Sequence, residues 1–117
     1  MISVRDMVKS LLQGVCSAVW YFYPQSWVQL PCISWRESGS RELAQADGRE
    51  HLTELEYTVD VWAKYPEQTH ALAERIDEAF ASVRLRRDYA ADLFQSGVHH
   101  RVLRYRCVAD AQGRIYQ

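Results

Sequence analysis

The feature that most constrains the fold is a clear alternation between Glu54 and Lys64, in which apolar residues alternate with residues that are polar except for Trp62. Successive side chains of a β-strand point to opposite faces of the sheet, so this alternation predicts a long strand with two unlike faces. One face carries Leu55, Tyr57, Val59, Val61 and Ala63. The other carries Glu54, Glu56, Thr58, Asp60, Trp62 and Lys64. The apolar face must be covered, so the chain needs elements that pack on it.

Two segments with helical periodicity are suited to form that cover. Ser3 and Asp6 have the spacing of a capping box, and apolar residues then recur every three or four positions. These residues are Val4, Met7, Val8, Leu11, Leu12, Val15 and Val19. A second helix of roughly 16 residues is predicted to begin at Pro66, a residue type that suits the first helical turn. Its apolar stripe consists of Leu72, Ile76, Ala79, Phe80 and Val83.

Three further segments are predicted to be strands. Residues 28–36 are rich in apolar side chains, and Pro31 is compatible with a strand at the edge of a sheet. Residues 84–93 and a final alternating run are joined by Ser96 and Gly97, which favour a hairpin turn. The final run places Leu103, Tyr105, Cys107 and Ala109 on one face.

Two segments lack an apolar period. Residues 37–50 contain Gly39 and Gly48 among polar and charged side chains, which predicts a long mobile loop. Residues 111–117 also show no pattern, and we expect this tail to fray. A chain of 117 residues buries about two-thirds of its unfolded surface around one core. We therefore expect a single α+β domain over residues 1–117, an antiparallel four-stranded sheet with two helices packed on one face, in the order α-β-β-α-β-β.

An unusual concentration of aromatic residues lies between the first helix and the first predicted strand. It comprises Trp20, Tyr21, Phe22, Tyr23 and Trp27. We expect most of these rings to pack on the domain's own core, because aromatic side chains bury large apolar areas. Coverage of some of them by a protein partner is the alternative.

The charge balance argues against two classes of function. A formal net charge of -1 lacks the basic excess with which most nucleic-acid-binding proteins hold phosphate, so no specific nucleic acid binding is expected. The N-terminal apolar stretch is interrupted by Arg5, Asp6 and Lys9, which predicts neither a membrane span nor a signal peptide. Arginine strongly outnumbers lysine, a bias that suits bidentate pairing in protein interfaces and that a GC-rich coding sequence would equally produce.

No group of residues has the spacing of a catalytic or metal site. The cysteines form no C-x-x-C pair and are expected to be buried thiols. They are Cys16, Cys32 and Cys107. His99 and His100 are adjacent on a predicted strand, so they point to opposite faces and are unsuited to share one metal ion. We therefore expect no enzymatic activity, no cofactor and no metal.

A cluster of arginines in the second half of the chain allows a different interpretation. It comprises Arg84, Arg86, Arg87, Arg101, Arg104 and Arg106. With Tyr89 and Tyr105 interleaved, these residues would suit a nucleic-acid surface. Neutralisation by Asp88, Asp92 and the acids of the central strand is the preferred interpretation.

Several short segments, taken in order, resemble the tail terminator proteins of long-tailed bacteriophages and prophages. The first three segments are LPCISW (residues 30–35), DGRE (47–50) and YTVDVW (57–62). The others are ALAE (71–74), which begins the run to Phe80, and RYRCVAD (104–110). This family is also known as the tail completion or head-to-tail joining proteins.

The resemblance implies a structural protein without a reaction. It implies a homo-oligomeric ring, usually a hexamer, that caps the tail tube and presents a surface to the head connector. The implied partners are further copies of the chain, the tail tube protein and the head–tail connector protein. The implied locations are the bacterial host cytoplasm during assembly and afterwards the virion tail. The alternatives are a minor tail or head-completion protein, or a small nucleic-acid-binding or adaptor module of a mobile element.

The polar face of the predicted sheet is our candidate for the subunit contact. The residues assigned to it are Trp62, Asp60, Arg104, Arg106 and Trp35. Tryptophan and arginine dominate many interfaces, and strand parity turns Trp62 away from the face that the helices bury. The alternative is that Trp62 covers the aliphatic stems of its neighbours within one protomer.

Overall fold

Two helices and six strands make up the part of the chain that the computed structural model describes, residues 3–27, 29–43, 52–95 and 97–116. The N-terminal half consists of α1 (Val4–Val15), β1 (Val19–Tyr21), β2 (Cys32–Glu42) and β3 (Leu52–Ala63). The C-terminal half consists of α2 (Pro66–Ala81), β4 (Arg86–Gln95), β5 (Val98–Asp110) and β6 (Ile115–Tyr116).

Both helices begin where the sequence predicted. The Ser3 Oγ accepts a hydrogen bond from the Asp6 N–H at 3.0 Å, as a helix N-cap does. Pro66 occupies the first turn of α2, where the missing N–H of proline costs no helical hydrogen bond. In the described part of the chain, neither helix is long and apolar enough to cross a membrane.

The strands form one mixed sheet in the order β1-β2-β3-β5-β4, with β6 paired to β5. The α+β class is confirmed, but the prediction of an antiparallel four-stranded sheet is wrong. β1 pairs in parallel with β2, and β6 adds a further short strand. β1 escaped prediction because its first residue, Val19, continues the apolar period of α1 and was assigned to that helix.

β2 differs most from its predicted bounds of residues 28–36. It begins at Cys32, after a cis peptide bond between Leu30 and Pro31, and continues to Glu42. Residues 37–42 of the predicted loop are therefore strand, while residues 44–50 lie outside the described residues. The polar composition of residues 37–42 is compatible with a strand, because this part of β2 is partly exposed and its backbone pairs with β3. The register shifts between Glu37 and Gly39, at a β-bulge.

The predicted alternation of β3 is confirmed, and the helices lie on its apolar face. Tyr57, Val59 and Val61 are fully buried in one core cluster with Leu103 and Tyr105 of β5. The helices contribute Val4, Val8, Leu12, Leu72, Ala73, Ile76 and Phe80 to the same cluster. The prediction that both helices cover one face of the sheet is thus confirmed.

The two ends of the C-terminal hairpin also differ from prediction. Arg84 belongs to a turn and has a φ of 67°, so β4 begins at Arg86. Ile115 and Tyr116, in the tail that was expected to fray, pair with β5, and the fraying itself stays a prediction. The Asp110 Oδ1 accepts hydrogen bonds from the backbone N–H groups of Gln112 and Arg114, each at 2.9 Å, and so holds the turn before β6.

Candidate interaction surface

The sheet face turned away from the helices, here called the open face, carries most of the residues predicted to form the subunit contact. Its central positions are Glu54, Glu56, Thr58, Asp60 and Trp62 on β3 and His100, Val102, Arg104 and Arg106 on β5. These strands pair with one another, which confirms the predicted neighbourhood of β3 acids and β5 arginines. The face has a charged end near Glu54 and an aromatic end near Trp62.

At the charged end, here called the ionic end, Arg106 contacts three carboxylates. Its guanidinium lies 3.1 Å from Glu54 and 2.9 Å from Glu56, and its Nε donates to Asp88. Glu54 also accepts a hydrogen bond from Arg41 at 3.2 Å, which extends the network from β4 to β2. The register pairs Glu56 with Arg106, so opposite charges face each other across the ladder.

The carboxylates keep Arg106 firmly charged. The hydrogen bond and charge of Asp88, followed by the charges of Glu56 and Glu54, raise the pKa of Arg106 above its ordinary value. The side chain is nevertheless 45% exposed, so water and salt screen each pair. The network therefore fixes which strand positions face one another and contributes little to the stability of the fold.

At the opposite end, here called the aromatic end, Trp62 is the centre of a cluster of rings. The His100 ring stacks on it with centroids 3.7 Å apart, while Trp27 and Tyr23 meet it edge-on at 4.9 and 5.7 Å. The Trp62 Nε1–H donates to the Ser34 Oγ at 2.9 Å, which satisfies the indole within the protomer. Trp62 is only 5% exposed. The prediction that this indole faces water or a partner is therefore wrong.

The same end holds a buried charge. Asp60 is 6% exposed; its carboxylate lies 2.7 Å from the His100 Nε2 and 3.5 Å from the Arg36 guanidinium. A buried carboxylate is tolerated when cations and hydrogen bonds surround it. The aromatic end thus combines stacked rings with a paired acid beneath them.

The chain between β1 and β2 provides the cover over Trp62. Tyr23 and Trp27 come from this segment and contact one another as well as Trp62. The preceding residue, Phe22, has a φ of 79°, and its N–H donates to the Trp35 carbonyl at 2.7 Å. Its ring lies 5.7 Å from the Arg36 guanidinium and projects outward.

The aromatic segment is more exposed than the sequence predicted. The prediction that most of its rings pack on the core is wrong for those of Tyr21, Phe22, Tyr23 and Trp27, which are exposed. Tyr21 packs edge-on against the buried Trp35, and Tyr23 and Trp27 use one side of their rings on Trp62. One face of each of these rings is thus held by the fold while much of its surface remains in water.

The predicted contact residues separate into two groups. Trp62, Asp60 and Trp35 are buried within the protomer, and Trp35 lies on the helix side of the sheet in the main core cluster. Arg104 and Arg106 are exposed. Within a single chain these last two are therefore the members of the set that a neighbour could touch directly, and the subunit contact itself stays a prediction.

Several of the clustered arginines contact acids or aromatic rings. Arg87 binds Asp77 at 2.8 Å, and Arg101 binds Asp92 at 2.7 Å. The hydrogen bond from Arg101 is the main reason that the pKa of Asp92 is lowered. Arg104 lies over the Tyr89 ring at 4.6 Å. The predicted neutralisation by Asp92 is confirmed for Arg101, and that by Asp88 and the acids of β3 is confirmed for Arg106, whereas Asp77 was not among the predicted acids. These contacts weaken the nucleic-acid interpretation.

The edge strand β4 presents apolar side chains that sequence reasoning did not select. Tyr89, Leu93 and Phe94 are exposed, and Tyr89 and Leu93 lie on the open face beside Arg104 and His100. The alternation of Tyr89, Ala91 and Leu93 was the available signal. It went unused because the sequence did not show that β4 forms an edge of the sheet.

Two of the thiols, those of Cys32 and Cys107, are not activated as nucleophiles. Burial, with the nearby Cys16, raises the pKa of the Cys32 thiol to about 12, and burial together with the charge of Glu37 raises that of Cys107 to about 11. Since the thiolate is the reactive form, both groups are inert at neutral pH. The predicted buried thiols are confirmed for these two positions, and Cys16 is half-buried. Within the described ranges, no group of three or more His, Cys, Asp or Glu is placed to hold a metal ion.

Comparison with known families identifies one relationship. The sequence model of the family described as "Tail completion protein gp17" matches residues 5–110. The match runs from the first turn of α1 to the last residue of β5 and so includes both ends of the open face. No curated protein matches the chain.

Proposed function

Because the chain belongs to the tail completion protein family of phages, we propose that copies of it assemble into a ring that caps the tail tube and joins it to the head connector. The family match over residues 5–110 is the observation that carries this proposal, since it makes the chain a structural component of a phage tail. A hexamer is the ring order we propose, and the tail tube protein and the head–tail connector protein are the proposed neighbours.

The sheet supports assembly into a ring. It has two different edges, β4 on one side and the short β1 with the exposed end of β2 on the other. A contact between unlike surfaces of identical chains repeats around an axis and closes into a ring when the rotation allows it. A chain with unlike edges suits such a contact.

The charge of the protomer is compatible with a passage for DNA. The net charge of -1 gives no strong attraction to phosphate, and four arginines of β4 and β5 contact acids or rings. DNA moving through a ring is not retained when the wall lacks tight phosphate contacts. The ion pairs thus favour a structural role over the nucleic-acid-binding alternative.

The proposed subunit contact includes Arg104 and Arg106, the exposed members of the predicted set. Arg104 lies beside Tyr89 on β4, and Arg106 lies within the ionic end. The buried members of the predicted set act indirectly, because their contacts within the protomer hold the strands and rings in place. They are Trp62, Asp60 and Trp35.

The decisive experiment is a mass measurement in solution at several protein concentrations, combined with electron microscopy of assembled tails. We expect a mass far above the 13.7 kDa of one chain and a ring at the head-proximal end of the tube. A monomeric mass throughout, with no ring on the tails, would contradict the proposal. A single chain whose DNA affinity falls steeply with salt would instead support the nucleic-acid-binding module.

A further inference from the structure

Two apolar surfaces lie on the open face, one toward β1 and the other on β4. The first, here called the aromatic patch, consists of Phe22, Tyr23 and Trp27, which are 61%, 57% and 40% exposed. The second, here called the β4 row, consists of Tyr89 and Leu93, which are 45% and 51% exposed. For the first surface the sequence left open packing on the core or coverage by a protein partner, and it did not select the second.

The size of the aromatic patch indicates a contact surface. An aromatic side chain presents about 150–250 Å², so three half-exposed rings leave roughly 300 Å² of mostly apolar surface in water. Apolar patches of this size on a monomeric protein are often functional. Aromatic residues are also enriched in the buried centres of protein interfaces.

The backbone at Phe22 supports the same conclusion. A bulky residue with a φ of 79° is in a conformation that side chains other than glycine rarely adopt. The hydrogen bond to Trp35 and the contact with Arg36 hold Phe22 there and keep its ring pointing outward. Strain that the surroundings maintain at an exposed ring is typical of a binding position.

The β4 row lies on an edge strand. In the described part of the chain β4 pairs with β5 alone, so the backbone groups on its other side are open to a neighbour. The register shift between Arg87 and Tyr89 disturbs one end of the strand, which is also the more charged end. From Tyr89 to Gln95 the pairing is regular, and this regular part carries the row.

The patch and the row lie at the same level along the strands. Trp27 of the patch packs on Trp62, and Trp62 lies opposite His100 in the ladder. His100 in turn lies opposite Leu93 of the row. A neighbouring copy placed beside the sheet therefore brings its row against the patch without a large shift along the strands.

Building on the proposed ring, we infer that the aromatic patch of one copy packs on the β4 row of the next. The contact joins two unlike surfaces, so every copy uses its patch on one side and its row on the other. Arg104, which lies over Tyr89, flanks the row and gives it a cationic border suited to aromatic rings.

A mixing experiment with two variants tests this arrangement. Phe22→Asp puts a charge into the patch and keeps a residue type that accepts a positive φ. Leu93→Asp puts the same charge into the row. Each variant alone is expected to remain a single chain at concentrations where the unmodified protein forms rings. In a mixture, the intact row of the first variant meets the intact patch of the second. We therefore expect a species of two chains, twice 13.7 kDa, and nothing larger.

A matched control and the remaining outcomes make the result decisive. Ala71→Asp places the same charge at an exposed position of α2 and is expected to leave assembly unchanged. Cooperative thermal unfolding of every variant establishes that it is folded. If both variants form rings as the unmodified protein does, the proposed ring is supported and the proposed contact is wrong. If the folded variants remain single chains when mixed, the pairing of patch with row is wrong. If the unmodified protein never forms rings, the proposed function and this contact both fail.

Discussion

The two ends of the open face belong to the same strands, yet they are built from different interactions. At the aromatic end, Trp62 is stacked, hydrogen-bonded and removed from water. At the ionic end, Arg106 is surrounded by acids and remains almost half exposed. Burial of apolar surface gives more free energy of folding than exposed ion pairs do. The comparison therefore suggests that one end stabilises the protomer while the other fixes the strand register.

The largest effect is expected from removing the centre of the aromatic end. Trp62→Ala should lower the free energy of unfolding by about 3–5 kcal/mol, because it deletes a buried aromatic side chain. Chemical denaturation followed by far-UV circular dichroism measures this loss. Trp27→Ala is the matched control, since the Trp27 ring is partly exposed and its truncation should cost clearly less. Equal losses for the two variants would show that Trp62 is not the centre of the cluster.

A smaller effect is expected from the hydrogen bond beneath the same ring. Ser34→Ala leaves the Trp62 N–H buried without its acceptor, which should cost about 1–3 kcal/mol of unfolding free energy. Ser40→Ala removes an exposed hydroxyl of the same strand and should change stability by less than about 0.5 kcal/mol. Denaturation curves of both variants give the comparison, and similar values for the two would count against a buried, satisfied indole.

Next to the ionic end, at the turn between β5 and β6, we expect a local response to acid. Burial alone would raise the pKa of Asp110, but hydrogen bonds from Arg114, Gln112 and Tyr116 outweigh it and hold the pKa at about 2. A carboxyl whose folded pKa lies below its unfolded value stabilises the fold above the unfolded pKa, and that contribution is lost as the pH falls toward 2. The pairing of β6 with β5 should therefore loosen between about pH 4 and pH 2.

Amide exchange at Asp110, whose N–H donates to the Arg114 carbonyl at 3.0 Å, measures the loosening across this pH range. Asp110→Asn should speed the exchange of this amide already at neutral pH. Unchanged protection of the residue 110 amide at pH 2 would contradict the role of the carboxylate.

The smallest effect is expected from the ion-pair network itself. Arg106→Gln removes a cation that three carboxylates contact, but these contacts are screened by water. The change in melting temperature should be the least of the series and should nearly vanish in high salt. Melting curves at low and high ionic strength test this. A large loss that persists in high salt would place the ionic end among the stabilising parts of the fold and remove the contrast between the two ends.

The sequence predicted the periodic parts of the fold well. β3 and α2 were found because each repeats its pattern over many residues and buries one face of that pattern. The sequence also predicted correctly which side chains of β5 share the buried face, for the same reason. β1 and β6 were missed because two or three residues are too few to show a period, and their pairing is decided by neighbours distant in sequence.

The candidate site was predicted less completely. Strand parity correctly placed Trp62 on the face away from the helices, but parity does not show what else covers that face. The cover comes from Tyr23 and Trp27, in a segment without a period that is fixed by tertiary contacts. The exposure of Leu93 likewise depends on β4 being an edge strand, which is a property of the sheet order and not of the strand's own sequence.

The packing of Trp27 on Trp62 also gives the molecule an optical property. The two indoles are 4.9 Å apart and inclined by 71°, close enough for their electronic transitions to couple and produce an exciton signal in circular dichroism. Trp27 belongs to the segment between β1 and β2, whereas Trp62 belongs to β3. The exciton signal therefore reports the docking of that segment on the sheet, separately from the helical signal of α1 and α2. Opening and closing of the cover can thus be followed in the unlabelled protein while the rest of the fold stays intact.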